Sequence, residues 1–175
     1  SMKRFFIVFC LALILSACGS RAHTFNLEKE GVAYNYGEQV FFYHPRDWEV
    51  SVDTIKLSLD IVNPDAKEGL YFDTFEINSS NSKEELLNLY LTKLKNLGIE
   101  VQKSKKTQLE GAQRCTLIEG YSVSDSIYFK EVVVFIDGKQ YVYSYIADKD
   151  VYEKNVDNMT AYLMTLVVND SQKAV

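Results

Sequence analysis

The spacing of apolar and polar residues along the chain predicts a domain made mainly of β-strands. Residues 55–61 alternate so regularly that one face of a strand must meet a core and the other must be partly wet. Residues 132–136 are apolar without alternation, which is typical of a strand covered on both faces. Further segments with strand character are residues 70–77, 99–107, 114–121 and 126–136.

Turn residues connect these segments into predicted hairpins. His44, Pro45, Arg46 and Asp47 separate the apolar run 40–43 from the alternating run 48–52, which predicts a hairpin over 40–52. Asp137-Gly138 predicts a tight hairpin turn between 126–136 and the alternating segment 141–146.

Two helices are predicted between and after the strands. Ser82 and Glu85 form a capping-box pattern, and Gly98 stands where a left-handed helix end is favoured. Asp150 and Glu153 open a second helix. The apolar stripes of the two helices are Leu86, Leu87, Tyr90, Leu91, Leu94 and Leu97, and then Tyr152, Val156, Met159, Leu163 and Leu166. This order of elements predicts an α+β domain with a mainly antiparallel sheet and two main helices packed on it.

Over residues 40–168 the chain resembles the PsbP-like family. The resemblance is carried by Tyr43-His44-Pro45-x-x-Trp48-Glu49-Val50, the helix start Ser82-Lys83-Glu84-Glu85-Leu86, Leu109-Glu110-Gly111-Ala112, the strand Tyr141-Val142-Tyr143-Ser144-Tyr145 and a terminal helix. It implies an α/β/α sandwich around an antiparallel sheet. It also implies an assembly or binding factor rather than an enzyme, and supplies no shared catalytic set.

The N-terminus has the pattern of a bacterial lipoprotein signal peptide. Lys3 and Arg4 precede an apolar stretch over 5–15, which is shorter than the ~20 residues that span a bilayer. Leu15-Ser16-Ala17-Cys18 then resembles a lipobox, in which the cysteine is diacylated and the preceding peptide is removed. We expect a signal peptide at 1–17, a lipidated tether at 18–33, one domain at 34–170 and a flexible tail at 171–175. Two or more acyl chains, such as palmitate, would anchor the chain stably.

Charge and cysteine content narrow the possible partners. The chain has 19 basic and 24 acidic side chains. Without Lys3 and Arg4 the mature chain keeps 17 basic residues and a net charge near −7. This balance argues against nucleic acid as a partner. Cys10 leaves with the signal peptide and Cys18 takes the lipid, so Cys115 has no partner for a disulfide and stability must come from a core.

Few residues are suited to catalysis or metal binding. His23 falls in the tether and His44 in a predicted turn, so neither a metal cluster nor a catalytic triad is expected. Cys115 sits at strand spacing, which favours a buried, unreactive thiol over a nucleophile. We therefore expect no catalytic residue, no metal and no cofactor.

Charged side chains have a simple structural interpretation. The pairs Asp73 with Glu76, and Asp47 with Glu49, are expected on solvated faces, although paired carboxylates could also serve acid–base chemistry. Lys103, Lys105 and Lys106 form a basic cluster that could face anionic headgroups, but is better explained as protection of an edge strand against pairing.

Tyrosine is the most distinctive residue type, since all twelve tyrosines follow Cys18. Tyr141, Tyr143 and Tyr145 project from one face of a strand, where they could form a partner-binding surface. The favoured alternative is that the terminal helix buries at least two of the three.

The sequence favours a membrane-anchored, extracytoplasmic lipoprotein of the bacterial cell envelope that acts as a non-enzymatic protein-binding or assembly module. Its partner is expected to be another envelope or extracellular protein. Two alternatives stay open: an immunity or inhibitor lipoprotein that neutralises a secreted toxin, and a hydrolase acting on envelope material.

Overall fold

A seven-stranded antiparallel sheet forms the centre of the computed structural model, which describes residues 24–78 and 80–169. The strands are β1 Gly31–Tyr36, β2 Val40–Pro45, β3 Glu49–Asp53, β4 Ser58–Val62, β5 Glu68–Glu76, β6 Ile99–Gln108, β7 Arg114–Ser122, β8 Ile127–Ile136, β9 Lys139–Asp148 and β10 Val167–Val168. The helices are α1 Leu27–Glu30, α2 Lys83–Asn96 and α3 Lys149–Leu163. The large sheet has the order β3-β4-β5-β9-β8-β7-β6, and a small sheet has the order β1-β2-β10.

The long hairpin β8–β9 lies near the middle of the large sheet. Asp137 and Gly138 connect the strands with φ values of 47° and 76°, the left-handed pair that a two-residue hairpin turn requires. Val132, Val133 and Val134 are all buried, because β8 has a strand on each side and packed layers above and below. The prediction of a doubly covered strand is confirmed.

Helix α2 covers one face of the large sheet. The Ser82 hydroxyl accepts a hydrogen bond from the Glu85 amide at 3.2 Å, and Gly98 follows the helix at φ 79°. Both predicted helix boundaries are therefore confirmed. Leu86 and Leu94 pack with sheet residues of β7, β8 and β9. Leu97, which was expected on the apolar stripe, is exposed because the helix ends at this position.

Helix α3 and the small sheet cover the opposite face. This side holds the larger of the two core clusters, in which Phe42 of β2 and Leu163 of α3 meet Phe72 and Tyr143 of the large sheet. The fold therefore has a central sheet between α2 on one face and α3 with the small sheet on the other. The predicted α+β class and antiparallel sandwich are confirmed.

The predicted hairpin over 40–52 is wrong. Strand β2 pairs with β1 and β10 in the small sheet, whereas β3 pairs with β4 at the edge of the large sheet. A nearer partner is available to β2, because the turn at Gly37, with φ 56°, brings β1 back onto it within a few residues. Strand β1 runs across the predicted boundary between tether and domain at 33/34.

The prediction of one alternating strand over 55–61 is also wrong in its first half. Ile55 lies in the turn between β3 and β4 and is 99% exposed. The Asp53 carboxylate accepts hydrogen bonds from the amides of Ile55 and Lys56, so the chain turns before the strand begins. Leu59 and Ile61 of β4 point into the core as the alternation predicted.

Candidate functional site

The predicted signal peptide, lipidation site and most of the predicted tether lie outside the described residues. Cys18 falls in this part of the chain, as do His23 and the predicted tail at 171–175. Within the described part, no helix is long and apolar enough to cross a membrane.

The three tyrosines of β9 lie in the core. Tyr143 and Tyr145 are fully buried and Tyr141 is 8% exposed, so the predicted burial is confirmed. The Tyr143 hydroxyl donates to the Tyr43 carbonyl at 2.7 Å, and its ring lies 4.5 Å from that of Phe42. The alternative of an exposed binding surface does not agree with this placement, because β2 and α3 cover the face on which these rings lie.

His44 and Cys115 are both buried. His44 belongs to β2 and not to a turn as predicted, and its Nδ1 lies 2.9 Å from the Pro45 carbonyl. Burial lowers the pKa of His44, which keeps the imidazole neutral. Burial raises the pKa of the Cys115 thiol to about 11, so the thiolate is scarce at neutral pH. The predicted burial of Cys115 is confirmed.

The candidate carboxylate pairs separate in the structure. Asp73 and Glu76 are three residues apart on β5 and point to opposite faces. Glu76 is exposed, whereas Asp73 is half-buried and its pKa is raised mainly by burial. Asp47 and Glu49 are exposed as predicted.

A buried glutamate that sequence reasoning missed lies beneath α2. Glu131 of β8 accepts hydrogen bonds from the hydroxyl of Tyr90 at 2.6 Å and from that of Ser144 at 2.8 Å. Burial raises the pKa of Glu131 despite these two hydrogen bonds. The sequence signal for this burial is the position of Glu131 directly before the apolar run 132–136, because a strand that is covered on both faces leaves little room for a solvated side chain.

A second buried glutamate, Glu68, lies under α3 at the start of β5. Its carboxylate accepts hydrogen bonds from the Tyr145 hydroxyl at 3.0 Å and from the Asn155 amide at 2.7 Å. These two hydrogen bonds connect β5 to β9 and to α3.

A cleft of about 430 Å³ lies between the first turns of α2 and strands β6 to β8. We call it the α2 cleft. It is lined by Lys83, Glu84, Leu87, Lys106, Thr107, Gln108, Arg114, Cys115, Thr116, Val133 and Phe135. Its volume falls in the range of about 300–1,000 Å³ that is usual for ligand sites.

Strand register explains the apolar floor and polar rim of the α2 cleft. Lys106, Thr116 and Val133 are direct neighbours across β6, β7 and β8, so their side chains share the face on which α2 lies. Val133 and Phe135 are buried at the inner end of the cleft, and Leu87 of α2 closes it from above. Cys115 packs with the core cluster of the opposite face.

Positive charge collects at the rim of this cleft. Lys106 lies 3.5 Å from Glu84, but both side chains are at least 75% exposed and such pairs are weak. Lys83 and Arg114 make no ion pair with any carboxylate in residues 24–78 and 80–169. A chain with a net charge of −5 therefore carries a local cationic rim above an apolar floor.

The rim of the α2 cleft belongs in part to the basic cluster of β6. This strand is the edge of the large sheet, so the expectation that these lysines lie on an edge strand is confirmed. Lys103 and Lys106 have different surroundings, because Lys103 lies opposite Glu119 whereas Lys106 faces the cleft.

Metal binding has no support within the described ranges. Residues 24–78 and 80–169 contain no group of three or more His, Cys, Asp or Glu side chains placed to hold a metal ion. The α2 cleft itself is lined by no histidine.

Comparison with known proteins identifies the fold. No protein-family model and no curated protein sequence matches the chain. The solution structure of cyanobacterial PsbP from Synechocystis sp. PCC 6803 matches with a TM-score of 0.65 and 14% identity over 86% of this chain and 98% of that chain. The chain therefore has a PsbP-like fold, as the sequence resemblance implied.

Two further structures share this fold. LpqN of Mycobacterium tuberculosis, described as involved in cell envelope biogenesis, matches with a TM-score of 0.55 and 16% identity over 80% of this chain and 91% of its own. The Ran-binding protein Mog1p of Saccharomyces cerevisiae matches with a TM-score of 0.53 and 12% identity over 81% of this chain and 97% of its own. At these identities the likeness concerns the fold.

Proposed function

We propose that this protein is a lipid-anchored, extracytoplasmic binding module of the bacterial envelope, and that its α2 cleft receives an acidic segment of a partner protein. The observation that carries the proposal is the cleft itself, in which Lys83 and Arg114, neither of them ion-paired with a described carboxylate, lie beside an apolar floor. The membrane anchor is proposed from the lipobox pattern ending at Cys18.

The chemistry of the cleft defines the partner segment. Lys83 and Arg114 favour carboxylates, and the planar guanidinium of Arg114 can bind one in a bidentate manner. Leu87, Val133 and Phe135 favour an apolar side chain between the acidic residues. An extended acidic segment with one large apolar residue satisfies both requirements.

Binding is favoured over hydrolysis by the groups available in the cleft. A general base or nucleophile would need a partner within hydrogen-bond reach and a pKa near neutrality. His44 and Cys115 are buried, and the Glu131 carboxylate accepts hydrogen bonds from Tyr90 and Ser144, so none of these three described groups is placed as an exposed base or nucleophile. The fold shared with the Ran-binding protein Mog1p is in keeping with a protein-binding role.

The proposal is tested by recovering partners with the acylated protein from its own membranes. A cleft variant, Lys83→Glu with Arg114→Glu, is compared with a matched control, Lys95→Glu with Lys103→Glu, which reverses two exposed lysines outside the cleft. The expected result is a protein that binds wild type and the control but not the cleft variant. Equal recovery of that partner protein by the cleft variant and the control would show that the cleft is not its binding site. An immunity role would instead be indicated by a secreted toxin as the recovered protein.

A further inference from the structure

A second concavity beside α2 contains a buried amide without a hydrogen-bond partner. This pocket of about 330 Å³ lies toward β5 and shares no lining residue with the α2 cleft. Gln140 of β9 lines it with only 6% of its surface exposed, and its Nε2 has no partner among the described residues. Buried polar groups in proteins are almost always hydrogen-bonded, so this donor points to an acceptor from outside the chain.

Positive charge lines the same pocket as the Gln140 amide. Phe75 faces Gln140 directly in the β5–β9 pairing, so their side chains are neighbours on the α2 face. The Lys93 Nζ lies 5.0 Å from the centre of the Phe75 ring, and the Lys56 Nζ lies 5.1 Å from it. Lys93 makes no ion pair with a carboxylate in the described ranges, whereas Lys56 also acts on Asp73, whose pKa is raised by burial and only partly offset by Lys56.

The remaining walls of the pocket combine apolar side chains of α2 with the polar residues Glu76, Asn78 and Asn81. Leu86, Leu89 and Tyr90 of α2 line it opposite Phe75. Leu89 is 60% exposed although it stands in the middle of a helix, which leaves a large apolar side chain at the pocket mouth. The exposed Glu76 on the rim disfavours ligands with more than one negative charge.

We infer that this Gln140 pocket binds a small monocarboxylate with an aromatic or branched aliphatic body. One carboxylate oxygen accepts from Gln140 Nε2, the negative charge faces the Lys93 ammonium, and the apolar body packs between Phe75 and Leu89. This inference goes beyond the proposed protein-binding function and does not depend on it, since the two sites lie on different sides of the α2 N-terminal half.

The probe that tests the inference is 4-fluorobenzoate, observed by ¹⁹F NMR against the membrane-derived protein in phosphatidylcholine nanodiscs, with empty nanodiscs as the blank. Saturable binding to wild type is expected, and the neutral 4-fluorobenzamide should bind at least about tenfold more weakly. Gln140→Met, which removes the amide but keeps the volume, and Lys93→Gln should each weaken binding of the acid by about tenfold. Lys95→Gln, on the same helix but outside the pocket, should leave it unchanged.

Two results would overturn the inference. One is the absence of saturable binding to wild type beyond the nanodisc blank. The other is equal affinity of wild type and Lys93→Gln, a variant of an exposed side chain whose folding is not in question. A thermal melt of Gln140→Met at least as high as that of wild type shows that its loss of binding is not a loss of fold, because that substitution removes an unpaired buried amide.

Discussion

Truncation of Tyr143 gives the strongest test of how the core is built. The Tyr143 side chain is fully buried, packs against Phe42 and Phe72, and donates a 2.7 Å hydrogen bond to the Tyr43 carbonyl. Tyr143→Ala removes the ring and leaves a cavity, which should lower the free energy of unfolding by about 3–5 kcal/mol. For a domain of this size the melting temperature should fall by about 10–15 °C.

Two companion variants separate packing from hydrogen bonding. Tyr143→Phe keeps the ring but leaves the Tyr43 carbonyl without this donor, so a loss of about 1–2 kcal/mol is expected. Ile55→Ala is the control, because Ile55 is 99% exposed and its truncation should cost under about 0.5 kcal/mol. Urea unfolding followed by tryptophan fluorescence of Trp48 measures all three. If Tyr143→Ala unfolds at the same urea concentration as Ile55→Ala, the small sheet does not cover β9 as described.

Three further predictions concern charge, lipid and a helix cap. Folding raises the pKa of the Glu131 carboxyl, so the stability that this carboxyl contributes is fully present below its unfolded pKa of about 4.5 and is lost as the pH rises through its folded pKa. Glu131→Gln should therefore gain stability relative to wild type over that pH window, whereas the exposed Glu76→Gln should not. A difference in urea unfolding between Glu131→Gln and wild type that stays constant between pH 4 and 8 would refute this. Cys18→Ala should abolish acylation and processing at this site, as intact-mass measurement of membrane-derived protein would show; an unmodified Cys18 in wild type would disprove the anchor. Ser82→Ala should cost about 1 kcal/mol in thermal unfolding, with the exposed Ser104→Ala as a neutral control, because only Ser82 accepts the Glu85 amide at the start of α2.

Features that depend on nearby residues could be predicted from the sequence. The Ser82 cap and Gly98 set the limits of α2, and Asp137-Gly138 set the β8–β9 turn. Each involves residues only a few positions apart, so the local chemistry decides the backbone conformation. The PsbP-like order of elements followed from these local features.

Pairings between distant segments could not be predicted in this way. Phe41 of β2 pairs with Val167, and nothing within either segment indicates the other as its partner. The same limit applies to the candidate sites. Lys83 and Arg114 reach one cleft only because α2 packs against β7, and the isolation of the Gln140 amide depends on the elements around it. Alternation predicted which strand faces are buried, but not what covers them.

The most direct test of the central claim is a site-specific photo-crosslink from the α2 cleft in intact membranes. A photo-reactive residue at Gln108, which lines the cleft, is compared with the same residue at Gln102, which is exposed on the same strand but outside it. A binding module predicts a discrete protein adduct from position 108 that is absent from position 102 and is lost when Arg114→Glu is added. Equal adducts from both positions, or a position-108 adduct that survives Arg114→Glu, would contradict the account.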